Sequence, residues 1–152
     1  MKLWRICRKR FAAEADSGEG ARLYGGRWNS KGVRIIYTST SLALAVIESF
    51  VNLEPRLRPD DLVSIQVELP ETIATERLDL KSLPANWHRS RGEVLRRFGD
   101  QWIISQRTVA LHVPSAAVRG EWNTLLNPAH EDFRRIKMQK PQPFEFDLRM
   151  FC

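Results

Sequence analysis

Glu48 stands four positions after Leu44 and three before Val51, on or beside the apolar stripe of a helix. Carboxylates avoid such faces. An acid buried without a partner is costly, so a glutamate at this position is either paired or functional. The other reading of the same spacing is a helix-edge side chain that reaches solvent or an arginine. Upstream, Gly25-Gly26-Arg27-Trp28-Asn29 sets two glycines before an arginine. Backbone N–H groups can then approach an anion while the guanidinium supplies a bidentate fork, and phosphate is the natural partner. A plain turn carrying a surface arginine fits the pattern equally. The segment is not a phosphate-binding P-loop, since no Gly-Lys-Ser/Thr follows. Nor is it a dinucleotide fingerprint, since Leu23 stands where the third glycine after Gly18 and Gly20 belongs. Tyr37 lies two residues from Ile35 in a segment rich in β-branched residues; it reads as a core aromatic, and a tyrosine there also stacks on a flat heterocycle.

Other chemistry-bearing residues are less informative. Ser115 follows Pro114 at the end of a strand, where serine usually makes a turn. His112 has the opposite strand phase, so no Ser–His pair is expected. His88 and His130 lack metal-ligand spacing, and a metal site is not expected.

The elements that must carry these residues follow from periodicity. Val63, Ile65, Val67 and Leu69 alternate with Ser64, Gln66 and Glu68, the pattern of a half-buried strand. Strands are also expected over 3–7, 33–39 and 108–113, and a closing strand over 143–150. Leu44, Ile47 and Val51 predict a helix of about four turns, with Ser39, Thr40 or Ser41 as N-cap and Pro55 as its stop. A second helix is expected over 91–104, interrupted at Gly99, and a third over 130–138 after Asn127-Pro128. The stretch from Lys9 to Lys31, with four glycines and no period, reads as a long functional loop. The order β, β, α, β, α, β, α, β gives an α+β fold: a single domain over 1–152 with a central mixed or antiparallel sheet flanked by helices.

Bulk properties set the outer bounds. The 152 residues are 43% apolar, enough for one core. The longest apolar run, Leu42 to Ile47, is far short of the roughly 20 residues of a membrane span. The basic start has no apolar stretch behind it, so no secretory signal is expected and a cytoplasmic address follows. Cys7 and Cys152 stand far apart and read as reduced thiols. The net charge of +6 and a pI near 9.8 suit a phosphorylated substrate or an acidic partner. They also admit a basic nucleic-acid-binding module using Trp4, Trp28, Trp87, Trp102 and Trp122 as stacking surfaces. Scattered bases and dispersed tryptophans favour core and lid roles instead, and direct nucleic-acid binding is not expected.

Taken together, these motifs resemble the RES domain family, named for recurring Arg, Glu and Ser residues. Arg27, Tyr37 and Glu48 are spaced ten and eleven residues apart, as in the family's pattern. Leu111-His112-Val113-Pro114-Ser115-Ala116, Asn123 to Pro128 with His130, and Phe144 to Arg149 agree in order, so the resemblance spans nearly the whole chain. It implies a fold similar to ADP-ribosyltransferase toxins. It also implies a toxin that depletes NAD⁺ by hydrolysis or phosphorolysis at the nicotinamide–ribose bond, or a protein mono-ADP-ribosyltransferase. The implied partner is a helix-turn-helix antitoxin of the Xre type, forming an oligomer with the toxin. NAD⁺ is then substrate rather than cofactor, with inorganic phosphate as a candidate co-substrate. In this reading Arg27 binds phosphate, Tyr37 stacks near nicotinamide and Glu48 stabilises the cationic ribose. Ser115 orients a substrate group, and Asn29 and Asn127 form the pocket wall.

Overall fold

A computed structural model describes residues 1–54, 56–90 and 92–152. The strands are β1 (Lys2–Arg8), β2 (Ile36–Ser39), β3 (Leu62–Glu68), β4 (Thr75–Arg77), β5 (Ala110–Pro114), β6 (Trp122–Leu126), β7 (Lys137–Met138) and β8 (Gln142–Phe144). They form one sheet in the order β4-β5-β6-β2-β1-β3-β7, with β8 also paired to β3. Its pairs are antiparallel except β4–β5, so the domain is α+β with a mixed sheet. The helices are α1 (Glu19–Tyr24), α2 (Leu42–Val51) and α3 (Glu93–Ser105). Among the described residues no helix is long and apolar enough to cross a membrane.

The two-residue period of the strands sorts the core onto the two faces of the sheet. Ile36, Ala110 and Leu126 join Leu3, Ile65 and Val67 on one face. Their neighbours Ile35, Leu111, Val113 and Leu125 join Trp28, Leu95 and Trp102 on the other. The second face is covered by α3. Its Gly99 does not interrupt the helix: a Cβ there would lie 1.8 Å from the Trp28 carbonyl oxygen, so the glycine lets the 26–30 loop seat against helical backbone. Asp100 completes that clamp, accepting from Ser30 N at 2.9 Å and Ser30 Oγ at 2.6 Å.

Several expectations are corrected. Of the three proposed caps, Ser41 accepts from Leu44 N and starts α2, which is shorter than four turns. Ser39 and Thr40 instead donate to Asn123 and Trp122 of β6. The proposed stop at Pro55 and the start of the second helix at Arg91 lie outside the described residues. The expected loop over 9–31 contains a 3₁₀ segment (Lys9–Glu14) and α1. The expected third helix is a 3₁₀ turn (Glu131–Arg135) followed by β7, because Lys137 and Met138 gain ladder partners on β3. The closing strand stops at Phe144, and Asp147 caps a 3₁₀ turn over Leu148–Phe151. Phe144, Phe146, Phe50 and Phe151 pack there edge to face. Besides β7, two strands had not been expected: β4, and β6, which lies in the middle of the sheet.

β1 and β2 are joined unequally. β1 pairs with β3 from Lys2 through Arg8, but its pairing with β2 is confined to Trp4 opposite Ser39. Beyond that point Arg5 Nη1 donates to the Tyr37 carbonyl at 3.1 Å, a side chain standing where a ladder bond would otherwise form. α2 packs on both strands over this opening.

Candidate active site

The opening leads into a cleft of about 780 Å³, within the roughly 300–1,000 Å³ of pockets that enclose cofactor-sized ligands. Its walls come from the start of the chain (Arg5), the 25–28 loop, Tyr37 on β2, Glu48 on α2 and the segment after β5. Arg27, Tyr37 and Glu48, far apart in sequence, line the same cavity.

Glu48 is the best-determined group in it. Its Oε1 accepts from Ser115 Oγ at 2.6 Å and from Asn123 Nδ2 at 2.7 Å. Ser115 is fixed in turn, accepting from Val118 N at 3.0 Å, and Asn123 Oδ1 accepts from Ser39 Oγ at 2.7 Å. A relay from β2 through β6 therefore ends on one carboxylate oxygen. Among the described residues Oε2 takes no hydrogen bond, so its lone pairs stay available to a ligand. Fixing one oxygen removes rotamer freedom while leaving the charge in place, the requirement for a preorganised stabiliser of developing positive charge.

Tyr37 is held by its hydroxyl, which donates to Asn29 Oδ1 at 2.5 Å and accepts from Trp28 N at 3.1 Å. Burial raises the phenol well above its ordinary value, so the group stays protonated; what it presents to the cleft is ring surface. Gly26 makes this possible, since a Cβ there would sit 2.6 Å from the hydroxyl oxygen. Arg27 Nη1 donates to the Ser90 carbonyl at 2.6 Å, which orients the guanidinium at the cleft wall. Arg5 and Arg96 also line the cavity, so among the described lining residues three guanidiniums face one carboxylate. Burial of Arg5 lowers its pKa, with the nearby Cys7 acting weakly in the opposite sense. Its Nε is buried without a partner.

Asn29 and Asn127 are not brought into this cavity. Asn29 is fully buried behind it, its Nδ2 shared among the carbonyls of Ala21, Ser30 and Val33. It shapes the loop that carries Arg27 and holds Tyr37. Asn127 is buried past the end of β6, where its Oδ1 accepts from Ala129 N. Arg5, Arg96, Asn123 and Ser39 were not singled out from sequence. Arg5 carried a usable signal, because it shares a strand face with buried Leu3, as Glu48 shares one with Leu44. His112 bonds Thr124 Oγ1 at 2.8 Å, and His130 caps the 3₁₀ turn after it.

Residues 2–148 match the family model described as RES domain. The chain belongs to the RES domain family. It is 41% identical to the "Prs ADP-ribosylating toxin" of Sphingobium sp., covering 97% of this chain and 94% of that protein. It is 34% identical to "Toxin Res" of Photorhabdus laumondii subsp. laumondii, covering 99% and 97%. Among solved structures it resembles a chain of the M. tuberculosis MbcT–MbcA toxin–antitoxin complex. That likeness has a TM-score of 0.67 at 14% identity, over 99% of this chain and 86% of the other. Within the matched residues Arg27 lies on the loop clamped by α3, Glu48 lies on α2, and Ser115 donates to Glu48.

Proposed function

We propose that this RES-family toxin binds NAD⁺ in the main cleft and breaks its nicotinamide–ribose bond, and that an antitoxin holds it inactive in the cell. The observation that carries this reading is Glu48, fixed through Oε1 by Ser115 and Asn123 in a cleft whose other charged lining residues, among those described, are Arg5, Arg27 and Arg96. Loss of nicotinamide leaves an oxocarbenium-like ribose, which a fixed carboxylate stabilises while its other oxygen holds a ribose hydroxyl. Arg27 takes the pyrophosphate through a charge-assisted fork, with Arg5 and Arg96 adding to the positive field. The Tyr37 ring offers a flat face to nicotinamide. Ser115 acts through Glu48 and is a positioning residue.

Glu48→Gln is expected to lower the rate of nicotinamide release at least about 100-fold, the usual scale for removing a preorganised electrostatic group, with its melting temperature close to that of the original protein. Turnover at the unaltered rate in a folded variant would remove Glu48 from the mechanism.

Transfer of ADP-ribose to a protein is the second reading, favoured by the name of the relative from Sphingobium. Both readings break the same bond and differ in the acceptor. Incubation with NAD⁺ labelled in its ADP-ribose part, with and without phosphate and with cell lysate, separates them by whether label ends in free ADP-ribose, its phosphate ester or protein. The antitoxin follows from the family and is supported by a structural neighbour crystallised as a toxin–antitoxin complex. The family resemblance names its type as Xre, and co-expression with a helix-turn-helix protein encoded by a neighbouring gene should restore growth and yield a joint complex.

A further inference from the structure

Glu48, Arg5, Tyr37, Asn52 and Asn123 line two spaces. Adjoining the main cleft at these residues, a second groove of about 370 Å³ runs between β1, β2 and α2. Its character differs from that of the main cleft. Trp4, Leu53, Leu62 and Phe146 give it apolar sides, Ser39 and Ser49 give it hydroxyls, and Glu48 is its acid among the described residues.

Resting on the reading of the main cleft as the NAD⁺ site, we propose that this second groove admits the acceptor of ADP-ribose, and that the acceptor is an uncharged hydroxyl on a group of side-chain size or larger. Size is the first argument. The groove is more than ten times the roughly 30 Å³ that a water molecule occupies in the liquid, and a site evolved for water or phosphate alone needs no such space. Charge is the second. An ammonium or guanidinium acceptor would meet the buried Arg5 guanidinium. Arg8 is engaged by Asp61 at 2.5 Å, so phosphate finds only Arg5 to pair with in a wall that is largely apolar. A neutral hydroxyl suffers neither penalty. Position is the third, because Glu48 borders both spaces and so stands between donor and acceptor.

The step balances without any redox partner. The C1′–N bond breaks and its electron pair leaves with neutral nicotinamide. A lone pair of the acceptor oxygen forms the new C1′–O bond from the opposite side. The hydroxyl proton is released to solvent from the open groove as the new bond forms.

The test uses the full chain with NAD⁺ labelled in its ADP-ribose part and one of four acceptors: n-propanol, n-propylamine, inorganic phosphate, or a short neutral peptide with one serine. The alcohol should capture label at least about tenfold better per mole than the amine or phosphate, a ratio read as a difference in transition-state binding. Capture by the peptide as well assigns the groove to a protein side chain; capture by propanol alone assigns it to a small molecule. Ser49→Phe, which fills the groove, should cut alcohol capture about tenfold or more while the KM for NAD⁺ stays within about twofold. Ser49→Ala should retain capture. Preference for phosphate or amine, unchanged capture in Ser49→Phe, or a raised KM for NAD⁺ in that variant each overturns the proposal, the last by showing that the dinucleotide itself occupies the groove. A protein that releases no nicotinamide from NAD⁺ under any condition overturns the reading of the main cleft instead.

Discussion

One carboxylate oxygen of Glu48 receives two hydrogen bonds, and the proposed chemistry requires both donors to stay in place. Ser115→Ala is expected to lower kcat about tenfold with little change in KM, because it loosens a group that acts in the transition state without touching the ground-state ligand. An equal rise in KM would show that Ser115 contacts substrate directly. Tyr37→Phe tests a different part. It leaves Asn29 Oδ1 and Trp28 N without their partner, a loss of about 1–3 kcal/mol in unfolding free energy, measurable by urea titration. Because the folded phenol is raised above its unfolded value near 10, its contribution is complete below about pH 10 and is lost as pH climbs toward the folded value. Stability should therefore fall more steeply above about pH 10 in the original protein than in Tyr37→Phe.

Among the elements, α3 does the most for the site while contributing few residues to it. Its Gly99 and Asp100 grip the backbone of the loop that carries Arg27. Gly99→Ala separates two effects of opposite sign. Helix propensity alone would stabilise α3 by about 1 kcal/mol. The methyl group would meet the Trp28 carbonyl at 1.8 Å, and backbone cannot yield as a flexible side chain can. The expected net result is a destabilisation of about 1–3 kcal/mol and a raised KM for NAD⁺ as the Arg27 loop shifts. A stabilised variant with unchanged KM would show that the loop tolerates displacement.

For the whole molecule, the split between β1 and β2 opens a continuous sheet into a cleft, and positive charge from separate parts of the chain converges on it. Ligand binding should then be visible as global stability, most simply in Glu48→Gln, which is expected to consume NAD⁺ at least about 100-fold more slowly. At about 100 times its Kd a ligand adds about 2.7 kcal/mol, and for a domain of this size that raises Tm by about 5–10 °C. Absence of any shift with millimolar NAD⁺, in the face of a folded protein, would argue that the cleft does not hold the dinucleotide.

The residue types that matter were legible because they break a local rule. Glu48 on an apolar helical face and two glycines before Arg27 both ask for an explanation within a few residues of themselves, and the family spacing joined them to Tyr37 and Ser115. The α+β class and the strand over 63–69 were legible for the same reason, since periods of two and 3.6 are local properties of a chain. What tertiary structure alone decided is pairing. Asn123 reaches Glu48 across 75 positions of sequence, and no period announces that distance. Arg5 lies at the mouth because β1 and β2 part after Trp4. Gly99 is helical because the Trp28 carbonyl occupies the place of its missing side chain. Asn29 and Asn127, polar and adjacent to motifs, carried the right chemistry for a pocket wall, yet Asn29 bonds backbone carbonyls and the Tyr37 hydroxyl from behind the cleft and Asn127 bonds the Ala129 backbone. Sequence thus determined which groups could do the chemistry; long-range packing decided which of them face the cleft, because the energy that orders a side chain comes from neighbours that only the folded chain supplies.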